Sequence, residues 1–458
     1  MGSQPTTLVI LGASGDLTQR LLLPGLGTLL HEDHDRQVRL VGAAHEALEL
    51  SEWQQRVRDG LAAGGCRAER VAELASTARF DVLDVTDISA MRTFLGTLAH
   101  PGDPIVLYFA LPPAISQHAC EVLAQLELPT GLRLAIEKPF GTSLESAQEF
   151  NSLLTGLVPE RQIYRVDHYL GKATVLNLLG VRFANRIFEP TWNTASIERV
   201  EIIADEVLTL EGRAQYYDQA GAMKDMIQSH LMLVLALVAM EEPARIDEVE
   251  LRDLLVHALR STHVWNDDPI SWSRRARYTA GSINGREVPN YVDEPGVTPE
   301  NDTETLAEIT LEIRNARWAG VPFRLRSGKA LGDGFRGIVI KFRPVPHLPE
   351  GFTGEAAPNI LVIGLAPESI ALQITTNAEG DRWDLEQTIL AAELSESPLR
   401  PYGEILEGIL SDDPLLSVRG DIAEQCWRIL TPILSAWATN EVPLEEYRAG
   451  STGPTGWR

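Results

Sequence analysis

The chain has 458 residues, of which 44% are hydrophobic and 23% charged, with 36 Gly and 27 Pro. This balance is typical of a globular protein and excludes disordered and collagen-like chains, while the length predicts two domains. Forty basic against 64 acidic side chains leave a formal charge of −24. Nucleic acid and anionic lipid are therefore poor partners, and an anionic ligand needs a local basic pocket.

The cysteine pattern favours a reducing compartment. Cys66, Cys120 and Cys426 lie far apart, without the spacing of a disulfide framework or a metal site. The longest apolar run, residues 231–240, is shorter than the ~20 residues that a membrane span needs, and no secretory signal pattern is present. We expect a cytoplasmic protein with no metal centre and no membrane partner.

The first third of the chain alternates short apolar runs with segments of helical spacing. We predict strands at 7–11, 38–42, 78–82, 105–110 and 132–136, and helices at 17–30 and 53–60. Strands that alternate with helices predict an α/β fold with a doubly wound parallel sheet.

From about Tyr164 the pattern changes to longer helices and to strands with period-two alternation, such as 306–313. This alternation predicts an antiparallel sheet with one face covered. Residues 273–301 are rich in Gly, Pro, Asn and Arg and predict a long loop. The last helix, 421–438, has an apolar stripe, and we expect Pro432 to kink or break it.

A glycine turn closes the first predicted strand and opens the first predicted helix. In residues 12–17, GASGDL, the glycines would let backbone amides approach a pyrophosphate at the positive end of a helix. A purely structural turn is the alternative. At the end of the second strand, where the ribose of such a cofactor lies, Glu46 could accept hydrogen bonds from ribose hydroxyls or be a solvated surface acid.

Polar and ionisable side chains are concentrated in the segment 164–172. In an extended chain Asp167 and His168 would point to opposite sides. One could orient a catalytic group, while the other binds an anion together with Tyr169 and Lys172. A solvated loop explains the pattern equally well.

Taken together, these motifs resemble the glucose-6-phosphate dehydrogenase family. They occur in the family's order over almost the whole chain, at residues 12–17, 110–113, 137–141, 165–172, 182–188, 221–225, 321–331 and 450–454. The resemblance implies a Rossmann-type domain at 1–165 and a larger α+β domain at 166–458, whose extended antiparallel sheet forms a homodimer or homotetramer.

The resemblance also implies an oxidoreductase of the oxidative pentose phosphate pathway. Members oxidise the anomeric hydroxyl of glucose 6-phosphate to 6-phosphoglucono-lactone and transfer hydride to NADP or NAD. By this resemblance His230 is the general base and Asp167 orients it, although a lone histidine beside the apolar run 231–240 is more often a core residue.

Binding roles follow from the same resemblance. The implied substrate-binding residues are Lys138, His168, Tyr169, Lys172, Glu206, Asp225 and Lys329. The implied cofactor-binding residues are Gly12, Ser14, Gly15, Asp16, Leu17, His45, Leu111, Pro112, Glu137 and Lys138.

Several positions depart from the family pattern. His45 followed by Glu46 replaces the arginine that binds the 2′-phosphate of NADP, so we expect NAD to be used at least as well as in typical members. Leu21 and Gly334 stand where the family has basic residues, and we expect Arg336 to compensate for Gly334. The Gly-Gly of the sugar-binding loop is replaced by Ala-Gln at 214–215.

These departures leave two alternatives. A divergent relative could act on another hexose 6-phosphate, because the changes fall among binding residues. A catalytically inactive paralogue could serve as a sensor, although the presence of Asp167, Lys172 and His230 argues against it.

Overall fold

Six parallel strands form the first sheet of this computed structural model, which describes residues 5–98, 103–380, 382–394 and 397–457. The strand order is β3-β2-β1-β4-β5-β6, and each neighbouring pair is parallel. The strands are β1 (Thr6–Leu11), β2 (Val38–Ala44), β3 (Arg79–Val82), β4 (Ile105–Phe109), β5 (Arg133–Glu137) and β6 (Ile163–Val166). The predicted doubly wound sheet is confirmed; β6 is an addition to the prediction.

Helices cover both faces of this sheet, so its central strands are apolar throughout. Alternate residues of β1 show this directly, because Leu8 and Ile10 join one buried apolar cluster whereas Val9 and Leu11 join another. The helices are α1 (Leu23–Glu32), α2 (Leu50–Ala63), α3 (Ala68–Thr77), α4 (Ile88–Leu98), α5 (Pro113–Leu123) and α6 (Leu144–Leu157), with a π-helix at Thr18–Leu22 leading into α1.

A second sheet of eleven strands follows, mostly antiparallel. Its order is β15-β18-β17-β16-β14-β7-β13-β12-β9-β19, and β8 pairs with β12. Three pairs, β7 with β13, β9 with β19 and β15 with β18, are parallel. Its strands are β7 (Ile197–Asp205), β8 (Thr262–Val264), β9 (Ser273–Thr279), β12 (Leu306–Ile313), β13 (Phe323–Gly328), β14 (Arg336–Phe342), β15 (Thr353–Gly354), β16 (Ile360–Ala366), β17 (Glu368–Asn377), β18 (Asp384–Glu393) and β19 (Leu444–Arg448).

Further helices follow in the chain, and one of them, Pro401–Ser411, joins the apolar cluster beside the first sheet. They are α7 (Ala173–Phe183), α8 (Ala214–Ala222), a π-helix at Met223–Leu231, α9 (Met232–Ala239), α10 (Glu248–Arg260), α11 (Pro401–Ser411) and α12 (Gly420–Ala438), with short 3₁₀ turns at Glu160–Gln162, Glu189–Thr191, Trp265–Asp267, Tyr291–Asp293 and Pro299–Asn301. Pro432 was expected to kink or break the last helix; a break is wrong, because α12 continues through this residue, and a kink stays a prediction.

The predicted long loop at 273–301 is also wrong. It begins with β9 and continues as a hairpin of β10 (Gly281–Ile283) and β11 (Arg286–Val288). The two turn residues, Asn284 and Gly285, have φ of 51° and 79°. Positive φ at both positions is the geometry of the tight hairpin turn that Asn-Gly favours.

The described residues form two compact units. One contains residues up to 173 together with 243–253 and 397–424, and the other contains 174–242, 254–394 and 425–457. Both units are discontinuous in sequence, and the single boundary at 165/166 stays a prediction. Residues 214–239 are long and apolar enough to cross a membrane, but 89% of their most apolar window is buried within the protein, as in a core helix.

Candidate active site

The glycine turn lies at the carboxyl end of β1. Gly12 has φ of +85°, and a Cβ there would lie 2.2 Å from the carbonyl oxygen of Ala110, so only glycine fits. The Gly15 amide donates to the Gly12 carbonyl at 3.0 Å. Gly15 and Asp16 are exposed where the chain enters the helical segment that continues as the π-helix Thr18–Leu22. The turn therefore presents a helix N-terminus to solvent, which suits a pyrophosphate.

The same turn and the neighbouring loops carry further candidate cofactor residues. Ser14 and Leu17 are partly buried in the turn, and the Ser14 carbonyl accepts a hydrogen bond from Arg56 at 2.9 Å. His45 is exposed just after β2. Leu111 is partly buried and Pro112 exposed, between β4 and α5. The guanidinium group of Arg56 therefore lies at this edge of the sheet. No sequence motif indicated it.

Glu137, the last residue of β5, accepts hydrogen bonds from two tyrosines. The Tyr108 hydroxyl donates to its Oε1 at 2.6 Å, and Tyr402 also donates to this carboxylate. Burial raises the pKa of Glu137 to about 7, against the lowering effect of both tyrosines and of Lys138. The Asp167 carboxylate adds to the rise. The Glu137 side chain, next to Lys138 in sequence, is thus held by two tyrosine hydroxyls.

A turn follows β6 and carries the polar segment. The amide of Leu170 donates to the Asp167 carbonyl at 3.1 Å, and that of Lys172 to the Tyr169 carbonyl at 3.1 Å. The expectation of an extended chain is therefore wrong beyond Val166, since hydrogen-bonded turns do not alternate sides. The Asp167 side chain is fully buried, and its Oδ1 accepts from the Tyr169 amide at 2.9 Å.

Aromatic contacts organise the side chains of this turn. The Lys172 ammonium lies 3.8 Å from the centre of the Tyr169 ring, a cation–π contact. The His168 ring stacks on Tyr402, with centroids 6.0 Å apart and an angle of 12° between the planes. Tyr402 therefore contacts both Glu137 and His168, and no local sequence motif had indicated it.

In the second unit, three charged side chains meet at the ends of β7, β13 and β14. Glu206 accepts from Lys329 Nζ at 2.6 Å through Oε2 and from Arg336 at 2.6 Å through Oε1. Their side chains are 15%, 7% and 30% exposed. Arg336 thus contacts the carboxylate that also binds Lys329, while its replacement of the basic residue missing at Gly334 stays a prediction.

Asp225 and His230 lie on the π-helix that precedes α9. Both side chains are buried, His230 to 1% exposure. The Tyr216 hydroxyl donates to Asp225 Oδ1 at 3.3 Å. The Tyr217 ring lies 5.2 Å from the Lys329 ammonium. Each unit therefore groups ionisable side chains of the kind that bind a phosphorylated sugar.

Comparison with known proteins identifies the family of both parts of the chain. The family models for the NAD binding domain and the C-terminal domain of glucose-6-phosphate dehydrogenase match residues 9–177 and 179–458. Glucose-6-phosphate 1-dehydrogenase of Treponema pallidum is 38% identical over 98% of this chain and 92% of its own length.

Solved structures show the same similarity. One, of glucose-6-phosphate dehydrogenase in complex with its substrate glucose-6-phosphate, has a TM-score of 0.89 at 29% identity and covers 100% of this chain and 97% of that chain. Glucose-6-phosphate 1-dehydrogenase from Mycobacterium avium has a TM-score of 0.85 at 31% identity and covers 99% of this chain and 96% of that chain. The chain belongs to the glucose-6-phosphate dehydrogenase family.

Proposed function

We propose that this protein oxidises the anomeric hydroxyl of glucose 6-phosphate to 6-phosphoglucono-lactone, as an enzyme of the oxidative pentose phosphate pathway. The observation that carries the proposal is family membership along nearly the whole chain, with Asp167, Lys172 and His230 all present. Local geometry supports it, because the ion cluster of Glu206 and Lys329 can bind sugar hydroxyls.

In the proposed mechanism, His230 accepts the proton of the anomeric hydroxyl as the C1–O bond becomes a carbonyl, and Asp167 orients the imidazole. His168, Tyr169 and Lys172 hold the phosphate. Glu206, Asp225 and Lys329 hold the sugar hydroxyls. Lys138 contacts both substrate and cofactor.

A bound nicotinamide dinucleotide supplies the acceptor for the hydride that leaves C1. The glycine turn fits this group, because Gly12 lets the chain turn closely against Ala110 and Gly15 lies exposed before a helix N-terminus. Ser14, Asp16, Leu17, His45, Leu111, Pro112 and Glu137 complete the proposed cofactor site.

The test is absorbance at the reduced-nicotinamide band with purified protein and glucose 6-phosphate, in parallel with NADP and NAD. We expect turnover with at least one coenzyme and a lower kcat/KM for galactose and glucosamine 6-phosphates. A higher kcat/KM for another hexose phosphate would favour the divergent relative. Thermal stabilisation by glucose 6-phosphate without turnover would favour the inactive sensor.

Coenzyme choice forms a separate part of the proposal. The exposed imidazole of His45, followed by the exposed carboxylate of Glu46, is a poor partner for a 2′-phosphate. We expect the kcat/KM for NAD to lie within about 100-fold of that for NADP, and His45→Arg to raise the NADP/NAD ratio about tenfold, as one charge-assisted hydrogen bond would.

His31→Arg is the matched control, since it adds the same charge at an exposed position of α1. It should leave the NADP/NAD ratio unchanged. A wild-type enzyme more than 100-fold poorer with NAD would contradict this part of the proposal.

Arg336→Ala should raise the KM for glucose 6-phosphate about fivefold, because Glu206 loses one of two ion pairs in a partly buried site. This change corresponds to ~1 kcal/mol of binding free energy. Unphosphorylated glucose should show a similar rise, since the contact acts on the sugar. Arg343→Ala, an exposed position just beyond β14, is the control. An unchanged KM after Arg336→Ala would refute the compensation for Gly334.

The last part of the proposal concerns the cellular location and the oligomeric state of the enzyme. We place it in the cytoplasm because Cys66, Cys120 and Cys426 are buried and lie far apart in the sequence, without the spacing of a disulfide framework. We also propose a homodimer or homotetramer; exposed Ile389 and Leu390 on β18, 59% and 54% accessible, support an interface on the second sheet.

A further inference from the structure

The helix that carries Asp225 and His230 begins at a break in the backbone. Gly221 has φ of +65° and ψ of 177°, which is not helical and separates α8 from the π-helix that starts at Met223. The first amides of a helix have no partner within it, so they need acceptors from elsewhere.

Glu304, just before β12, supplies those acceptors. Its Oε1 accepts from the Met223 amide at 2.9 Å, and its backbone carbonyl accepts from the Ala222 amide at 3.3 Å. The Glu304 residue is 8% exposed. A Cβ on residue 221 would lie 2.3 Å from this Oε1, so the carboxylate occupies the space that a side chain at Gly221 would need.

Burial raises the pKa of Glu304, whereas the hydrogen bond from the Met223 amide and the charges around the carboxylate favour its ionised form. Lys224 and Arg275 both attract the carboxylate, and the N-terminal end of a helix carries a partial positive charge. Burial opposes them and raises the pKa of Glu304 to about 7. The carboxylate is thus a buried acid whose contacts are directed to the start of this helix.

Thr305, the residue after Glu304, is hydrogen-bonded to the backbone of Lys329. The Lys329 amide donates to the Thr305 carbonyl at 2.9 Å. The Tyr447 hydroxyl donates to the Lys329 carbonyl at 2.6 Å and bonds Thr305 Oγ1 at 2.8 Å. Residues 304 and 305 therefore hold both the helix start and the backbone at Lys329.

We propose that Glu304 is a positioning residue whose carboxylate fixes the start of the helix that carries Asp225 and His230. The proposal deepens the proposed function, in which these two side chains contact the sugar and accept its proton. Nothing in it requires Glu304 to touch the substrate.

The first test is hydrogen exchange of backbone amides in the full-length, ligand-free protein. Glu304→Ala should speed exchange of the amides at 222–227 about 10–100-fold, as loss of a charge-assisted hydrogen bond predicts, and leave β1 and β4 unchanged. Glu300→Ala, an exposed acid in the same loop, should exchange as the wild type does. Unchanged exchange at 222–227 would overturn the proposal, as would faster exchange throughout the protein.

The second test separates positioning from folding. Glu304→Gln keeps an oxygen that can accept from Met223 but loses the charge, so kcat/KM for glucose 6-phosphate should fall in the order wild type, Glu304→Gln, Glu304→Ala, with the last lower by about 10–100-fold. Equal kcat/KM in all three would overturn the proposal. If the wild type itself shows no turnover, the proposed function fails, while the exchange result and calorimetric affinities for glucose 6-phosphate still decide the role of Glu304.

Discussion

Replacing His230 with asparagine lowers kcat by about 10²–10⁴-fold and changes KM far less, which is the range that a positioned general base contributes. Asparagine is similar in size to histidine and can still form hydrogen bonds, but it cannot take up a proton at neutral pH. Because His230 is 1% exposed on the helix that also carries Asp225, its substitution should not alter a solvent-facing surface. Steady-state kinetics at saturating coenzyme, together with calorimetric binding of glucose 6-phosphate, measure the two effects.

His257→Asn is the matched control, because this histidine is exposed on α10 and should leave kcat unchanged. If Asp167 acts by orienting His230, the double variant Asp167→Asn with His230→Asn should be no slower than His230→Asn alone, since residues that act as a unit are not additive. A kcat within threefold of the wild type after His230→Asn would refute the assignment.

The winding of the helix explains why the relation between Asp225 and His230 could not be read from sequence. In an α-helix, residues five apart lie about 140° apart around the axis. In a π-helix, hydrogen bonds join residues five apart, so such residues lie on the same side of the helix, as residues four apart do in an α-helix. The structure has a π-helix at 223–231, which brings both side chains to one face. Apolar spacing alone does not reveal this change in winding.

Much of the first sheet could be predicted because its signals are local. Strand β1 is short, rich in β-branched residues and followed by Gly12. These features distinguish it from a buried helix. The hairpin at Asn284–Gly285 carried an equally local signal. The Gly and Pro content of 273–301 as a whole predicts a loop, and this average obscures the turn signal at two residues.

The candidate site was less predictable because its supporting contacts join distant parts of the chain. Motifs identified Glu137 and His168, but nothing in their neighbourhood indicates that Tyr402 donates to one and stacks on the other. Arg336 was expected from the absence of a basic residue at Gly334, and its contact with Glu206 became visible only in the folded chain. Partners of this kind are set by strand order and helix packing.

Lys172→Gln should raise the KM for glucose 6-phosphate about 100-fold, because a charge-assisted bond to a phosphate contributes up to ~3 kcal/mol. The chain carries a formal charge of −24, so a dianionic ligand depends on local cations. Lys172 lies over the Tyr169 ring in the turn after β6, and this contact restrains its ammonium group. Glutamine retains hydrogen bonding without the charge.

Kinetics with unphosphorylated glucose test whether the effect of Lys172→Gln is specific to the phosphate group. Glucose lacks the group that Lys172 is proposed to bind, so kcat/KM for glucose should stay within about threefold of the wild type, and the preference for the phosphorylated sugar should fall about 100-fold. Lys341→Gln makes the same change on β14, where this lysine pairs with Glu198, and should alter neither value. Equal losses with both sugars would mean that Lys172 maintains the turn that holds Asp167, and the phosphate would then need another cation.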